Sequence, residues 1–249
     1  MAFAFVQAAN NGTAGASASS IAATVTALTN GNIILGIVTW GSSSATLSSV
    51  TDGTNTYTLK DVVTDSTNGA RAQSFYAYNV SGSPTTITAN FSASVPYRGI
   101  SVQEFSGEET GSDPFDQSQA QLQTAPGTGT DGAKSGAGTQ TPAAANSLVW
   151  GGSCCTSAVG SGVSQFAAGT NFTEPANAEY IAASQIMISS EYEIQTTATA
   201  RNASFTLTAA GAHATFQMIF KVAGAGGAAY NAVPTLTYYQ TLKRGGIFH

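Results

Sequence analysis

Hydrophobic and polar positions alternate along most of this chain with the period of two residues that is typical of β-strands. Residues 33–40 depart from this alternation, because they form a nearly continuous apolar run of the kind that fills a central strand covered on both faces. Turn signals separate the segments, and the clearest of them, Asp52-Gly53, predicts a hairpin. The pattern therefore predicts an all-β chain of about twelve strands.

A long segment without alternation divides the predicted strands into two groups. Residues 106–132 are rich in Gly, Pro, Gln, Asp and Thr, and they predict a surface excursion. The predicted strands before this segment are 3–7, 22–29, 33–40, 45–51, 55–63, 75–80, 85–91 and 99–105, and those after it are 133–141, 147–155, 183–194, 203–209 and 214–222.

The last predicted strand has one apolar and one polar face. Phe216, Met218 and Phe220 alternate with Thr215, Gln217 and Lys221. This pattern predicts an outer sheet with one side in contact with water.

Together the strands predict an antiparallel two-sheet β-sandwich of jelly-roll or Ig-like type with an extended C-terminal arm. One sandwich domain over residues 1–223 is favoured over two Ig-sized domains that meet near residue 106. The second of two such domains would have only about five strands around a small core.

The carboxyl end of the chain differs from the predicted strands. Residues 224–229 read Gly-Ala-Gly-Gly-Ala-Ala, which predicts a flexible link, and residues 230–249 are too few to build a core of their own. Fully extended, these last residues would reach about 65 Å at ~3.3 Å per residue, far enough to lie across a neighbouring subunit. We therefore expect residues 224–249 to be an arm that binds a neighbour by strand addition or groove filling. A tail that folds back over its own sheet is the alternative.

The candidate partner-binding residues of the arm are aromatic, aliphatic and basic: Tyr230, Leu236, Tyr238, Tyr239, Leu242, Lys243, Arg244, Ile247 and Phe248. Because all 13 acidic residues precede the arm, a basic arm adjoins an acidic body. This charge difference favours attachment to a neighbouring subunit.

Charged residues are scarce, at 8% of the chain, and only 13 acidic, 8 basic and 2 histidine residues are available for chemistry. Enzymes usually gather several ionisable groups in one cleft, so the composition favours a non-enzymatic structural protein without cofactor or metal. The net charge of −5 argues against nucleic-acid binding, which needs a concentrated basic face. The chain shows neither a signal-peptide pattern nor a membrane-length apolar run, so we expect synthesis in a cytoplasm and no membrane contact.

Glu191 and Glu193 are the best candidates for a catalytic pair, because residues i and i+2 of a strand point to the same side. Their Cα atoms would lie about 6.5–7 Å apart, and glycosidases place two carboxyl groups about 5–9.5 Å apart. Two exposed glutamates on the wet face of a strand are far commoner, so that structural interpretation is preferred.

Other polar residues also have two interpretations. The carboxylates that could gather around Ca²⁺ are Glu108, Glu109, Asp113 and Asp116. Their spacing matches no EF-hand, so a solvated acidic loop is the preferred interpretation. His213 has no nucleophile motif near it and is expected in a turn.

Four aromatic residues are candidates for a carbohydrate-binding face, since exposed rings stack on sugars: Trp40, Trp150, Tyr57 and Tyr97. Both tryptophans end apolar strands, which favours burial at the edge of the core. Cys154 and Cys155 are adjacent, so a disulfide between them is geometrically poor, and we expect two buried thiols.

Strand and turn motifs occur as GNIILGIVTW at residues 31–40, SVTDGTNTYTL at 49–59, YAYNVSG at 76–82, QEFSG at 103–107, DPFD at 113–116, NSLVWG at 146–151 and FQMIFK at 216–221. These motifs resemble a β-sandwich domain of bacteriophage virion proteins and of some bacterial surface proteins. The resemblance covers residues 3–222 and implies no catalytic residues. The arm lies outside it.

The resemblance and the composition together predict a structural virion protein of a tailed bacteriophage, with capsid decoration or cement protein as the preferred role. Such a protein is expected to bind its neighbours through its sandwich edge and its C-terminal arm. A tail, fibre or adaptor subunit is the alternative among structural proteins. A carbohydrate-binding module or adhesin, or a glycosidase that uses Glu191 and Glu193, is the alternative from other classes. The expected partners are major capsid or tail proteins and further copies of the chain, with a glycan ligand left open. The expected location is the virion, after synthesis in the host cytoplasm.

Overall fold

In the computed structural model, the protein is described over residues 2–108, 111–124, 129–132, 139–157, 166–182, 186–207 and 211–222, with only the backbone described at 129–132 and 182. These residues form sixteen strands in four antiparallel sheets and no α-helix. None of them belongs to a helix that is long and apolar enough to cross a membrane. The predicted all-β class is confirmed.

The strands of the first half are β1 (Ala4–Thr13), β2 (Ala18–Thr24), β3 (Ile33–Trp40), β4 (Leu47–Thr51), β5 (Thr58–Asp65), β6 (Ala70–Ala77), β7 (Thr86–Val95) and β8 (Arg98–Ser106). Those of the second half are β9 (Phe115–Gln123), β10 (Gly129–Gly132), β11 (Leu148–Cys155), β12 (Phe166–Ala167), β13 (Tyr180–Ala182), β14 (Ile186–Ile194), β15 (Ser204–Leu207) and β16 (His213–Phe220).

The strands of the first half pair in a nested order, in which the first strand pairs with the last and the second with the last but one. β1 pairs with β8, β2 with β7 and β3 with β6. This pairing gives a five-stranded sheet of order β1-β8-β3-β6-β5 and a three-stranded sheet of order β2-β7-β4. Two packed sheets with eight strands in this nested order are a jelly roll, so the topology distinguishes between the two predicted sandwich types.

The second half repeats the same topology strand for strand. Its five-stranded sheet has the order β9-β16-β11-β14-β13, and its three-stranded sheet has the order β10-β15-β12. The predicted two-sheet sandwich is therefore present twice in the described part of the chain, in place of one sandwich of about twelve strands. The assignment of residues 1–223 to one domain stays a prediction.

The prediction of a surface excursion over residues 106–132 is wrong, because this segment contains β9 and β10. β9 pairs with β16 along its length, although its sequence, FDQSQAQLQ, is rich in glutamine and has no β-branched residue. Hydrogen bonds to the neighbouring main chain support this strand, so the side-chain pattern gave little signal of it.

The two five-stranded sheets pack face to face and form a central core. Its buried members include Ile33, Leu35 and Ile37 from β3, Leu148 and Trp150 from β11, and Phe216, Met218 and Phe220 from β16. Full burial of one such aliphatic or aromatic side chain contributes about 1.5–3 kcal/mol. This apolar layer therefore holds the two jelly rolls together.

The outer faces of these two sheets are covered as well. In the first half Ile34 packs in one cluster with Ile87 of the three-stranded sheet, and in the second half Met187 packs with Phe205. Every residue of β3, β11 and β16 is buried as a result. The continuous apolar run at residues 33–40 is thus a strand covered on both faces, as predicted.

The prediction of a water-facing side for the last strand is wrong. Thr215 and Gln217 in β16 are fully buried, because the three-stranded sheet of the second half covers that side. Gln217 donates a hydrogen bond to the Gln140 side chain and accepts one from the backbone N–H of Ala203. The polar face is satisfied by hydrogen bonds within the protein instead of by water.

Equivalent rows of residues across the two five-stranded sheets differ in chemistry. In each sheet, one row of laterally paired residues crosses a glycine of the central strand. In the first half this row is Ala9, Val102, Gly36 and Phe75. In the second half the equivalent row is Gln119, Gln217, Gly151 and Glu191. Both glycines leave space for the neighbour on the next strand, since an added Cβ would lie 2.2 Å from Phe75 Cζ at Gly36 and 3.0 Å from Glu191 Cγ at Gly151. The first jelly roll has an apolar row where the second has buried amides and a carboxyl group.

We predict that Gly36→Ala lowers the free energy of unfolding by about 1–3 kcal/mol, because the added methyl group collides with the Phe75 ring. In a Phe75→Ala background the same substitution is expected to cost much less, since the colliding ring is gone. Urea denaturation of the wild type, both single variants and the double variant measures this coupling. Equal costs in both backgrounds would contradict the collision.

Candidate functional site

The arm residues predicted to bind a partner, from Tyr230 to Phe248, lie outside the described residues. Their role stays a prediction. The other candidate residues lie within the described part of the chain, apart from Glu109.

Glu191 and Glu193 lie on the same side of β14, as their spacing predicts, but each has its own partners. Glu191 is fully buried, and its carboxylate accepts hydrogen bonds from the backbone N–H groups of Gly169 (2.7 Å) and Ser204 (3.0 Å). Glu193 forms an ion pair with Arg201, with 2.6 Å between Oε2 and Nε. The expected exposed position is wrong for Glu191, because the three-stranded sheet covers this side of β14.

Burial raises the pKa of Glu191 to about 8, and the two backbone N–H donors oppose this shift only in part. Catalytic acids also have carboxyl groups that titrate near neutral pH. Here the group lies inside the second jelly roll, between its two sheets. Its protonation is therefore coupled to folding.

The four acidic residues that could have gathered around Ca²⁺ have separate partners. Asp113 accepts a hydrogen bond from the Tyr76 hydroxyl (2.7 Å), and Asp116 accepts one from the backbone of the loop before β11 (2.8 Å). Glu108 is buried instead of solvated, and burial raises its pKa to about 7. Glu109 lies outside the described residues, and within those residues no group of three potential metal ligands is present.

His213 is the first residue of β16 and is fully buried, so the predicted turn position is wrong. It pairs in register with Cys155 of β11, which extends the strand to this point. Its Nδ1 lies 3.0 Å from the carbonyl oxygen of Gly211. Cys154 and Cys155 are free and buried, as predicted.

Three of the four candidate aromatic residues are in the core. Trp40 and Trp150 are fully buried, which confirms the prediction for the tryptophans, and Tyr57 is buried with its hydroxyl donating to Asp52 (3.0 Å). Tyr97 is the exception, since its side chain is 38% exposed.

Tyr97 has an unusual backbone conformation in the tight turn between β7 and β8, with φ of 50°. The left-handed region is uncommon for a residue with a bulky side chain and costs conformational energy. Gly41 packs against this turn: its N–H donates to the carbonyl oxygen of Pro96 (2.9 Å), and an added Cβ would lie 2.9 Å from Tyr97 Cδ2. The absence of a side chain at Gly41 lets the tyrosine ring lie against the end of β3.

Tyr97 lines an open cleft where the ends of the two jelly rolls meet. The cleft has a volume of about 210 Å³. Its walls include Thr39, Asn68 and Tyr97 from the first half and Thr156, Ser157 and Ile186 from the second half. No charged residue is among the described residues that line it.

A hydrogen bond between the two halves fixes part of this cleft. The Thr156 hydroxyl donates to Asp65 Oδ2 (2.7 Å), and the Asn68 side-chain amide donates to the same oxygen (2.7 Å). Burial acts to raise the pKa of Asp65, but the hydrogen bonds from Asn68, Thr156 and the backbone outweigh it, so the pKa lies below its usual value. Asp65 is thus an ionised anchor that holds two cleft residues in place.

No family model, curated protein or solved structure matches this chain. The sequence singles out Tyr97 but none of its polar neighbours in the cleft, because these come from separate segments of both halves. The local signal was a bulky residue after Pro96 in a tight turn between two strands.

We predict that the buried carboxyl group of Glu191 makes folding stability depend on pH. Its pKa rises from 4.5 in the unfolded chain to about 8 in the folded one, so the stability it contributes is fully present below 4.5 and is lost as the pH rises through 8. Glu191→Gln is expected to remove this part of the decline, because the amide does not titrate.

Urea unfolding at a series of pH values, with the wild type and Glu191→Gln in parallel, measures the difference between the two slopes. Other buried carboxyl groups, such as Glu108, contribute equally to both proteins and cancel in this comparison. The same slope in both proteins would show that Glu191 does not titrate in this range.

Proposed function

We propose that the chain is a structural component of a tailed bacteriophage particle, with capsid decoration or cement protein as its specific role. The single observation that carries this proposal is the tandem jelly roll. Jelly rolls, in which two antiparallel sheets pack closely, recur in viral capsid proteins. A chain that joins two jelly rolls through a shared apolar core is suited to cover a lattice.

The ionisable groups of the second jelly roll support a non-enzymatic role. Glu191 binds two backbone N–H groups, and Glu193 is paired with Arg201. The Glu191 carboxyl group is therefore used inside the fold, and the partly exposed Glu193 is used in an ion pair. A catalytic pair would need a substrate between its two groups.

The structure of the two edge strands in the five-stranded sheet of the first half supports the proposal that binding occurs through a separate arm. β-bulges interrupt both edge strands, at Val6 in β1 and between Leu59 and Val62 in β5. Bulges at sheet edges disfavour uncontrolled pairing with other sheets. Arm-mediated contact, repeated over many copies, is the proposed route to tight association with major capsid or tail proteins.

Within the same structural class, a tail, fibre or adaptor subunit is the alternative role. In each of these roles we propose the virion as the location and other virion proteins, together with further copies of the chain, as the partners. A carbohydrate-binding role is supported by a different observation, the cleft at Tyr97.

We predict that deletion of residues 224–249 leaves a folded body that no longer joins the particle. Circular dichroism and thermal unfolding test whether the body folds, and co-sedimentation with particles that lack the protein tests attachment. A chain with the sequence of residues 230–249 scrambled is the matched control, because it keeps the length, charge and composition of the arm. Attachment of the truncated body at the level of the full chain would overturn the arm as the binding element.

A further inference from the structure

The cleft between the two jelly rolls has the composition of a site for a small, neutral, hydroxyl-rich ligand. Its described lining residues carry no charge, and the ionised Asp65 lies behind two of them, which disfavours phosphates, carboxylates and other anions as ligands. Its volume of about 210 Å³ lies below the ~300–1,000 Å³ of pockets for drug-sized molecules, so a single ring fits it better than a larger ligand. We propose that this cleft binds one neutral pyranose ring of a glycan, stacked on Tyr97.

Tyr97 provides the apolar surface that such a ring requires. Sugar rings present C–H groups on one face, and these pack on the face of an aromatic side chain. The tyrosine is 38% exposed and lies in a turn with φ of 50°. Strained backbone of this kind is concentrated at ligand-binding sites, because the surrounding structure must hold it in place.

The polar residues of the cleft have complementary hydrogen-bonding capacity. The Ser157 hydroxyl accepts a bond from the backbone N–H of Ala212 (2.9 Å), so its own hydrogen can be donated to a ligand. The Thr156 hydroxyl donates its hydrogen to Asp65, so its lone pairs can accept. The Asn68 amide donates one N–H to Asp65, so its other N–H can donate to a ligand and its oxygen can accept from one. Sugar hydroxyls are donors and acceptors at once, and this mixed set matches them.

The site exists only because the two halves dock. Tyr97 and Asn68 come from the first jelly roll, and Thr156 and Ser157 come from the second. The hydrogen bond between Thr156 and Asp65 fixes the relative position of the two sides (2.7 Å). This inference does not depend on the role in particle assembly, since it concerns a different part of the molecule.

Binding is tested with the full chain and the methyl pyranosides of glucose, galactose, mannose and N-acetylglucosamine at millimolar concentrations. Saturation-transfer NMR detects binding, and a fluorescence titration gives the dissociation constant. We expect at least one pyranoside to bind in the millimolar range, because a single ring offers few contacts.

Tyr97→Asn is the decisive variant, because asparagine tolerates the left-handed backbone and replaces the ring with a small amide that cannot stack on a sugar. It is expected to weaken binding by about tenfold or more, whereas Tyr97→Phe keeps the ring and is expected to bind within a few-fold of the wild type. Tyr78→Ala is the matched control, since Tyr78 is 37% exposed and does not line the cleft. Thermal unfolding confirms that each variant is folded.

The proposal is supported when Tyr97→Asn loses binding while Tyr97→Phe and Tyr78→Ala retain it. It is overturned when the wild type binds none of the four pyranosides, or when Tyr97→Asn binds as tightly as the wild type. Equal losses in Tyr97→Asn and Tyr78→Ala would also overturn it, because the effect would then not belong to the cleft.

Discussion

The apolar contact between the two five-stranded sheets is the constraint on which the rest of this structure depends. Each of these sheets has a second face that must also be shielded from water. In each half a three-stranded sheet covers that face. The central strands β3, β8, β11 and β16 are therefore buried on both sides. Four layers of sheet follow from this one requirement.

The two halves satisfy the same topology with different chemistry. In the first, Phe75 fills the space beside Gly36, within an apolar core. In the second, Glu191 takes the equivalent place beside Gly151 and binds backbone N–H groups of the facing layer. A buried carboxyl group with a pKa near neutrality makes the second jelly roll sensitive to pH in a way that an apolar row cannot be.

Docking of the halves also creates a cleft that neither half has alone. The cleft at Tyr97 uses side chains of both jelly rolls and is fixed by an ionised Asp65 that bonds across the interface. The proposed sugar-binding cleft and the proposed arm would together combine recognition of a glycan with attachment to a particle. The two proposed activities occupy different parts of the chain and do not compete for the same residues.

The sequence by itself determined the β class, the strand at residues 33–40 that is covered on both faces, and the burial of Trp40, Trp150 and the two cysteines. These properties follow from local hydrophobicity and its period, which a single chain displays directly. Only the tertiary structure decided that the sandwich occurs twice, that β9 is a strand, and that Gln217 and Glu191 are buried. Main-chain pairing and coverage by a distant layer produce these features, and polar side chains that bond inside a protein have the same sequence pattern as those that face water. The cleft also depended on the tertiary structure, because docking of the two halves brings its residues together from separate segments.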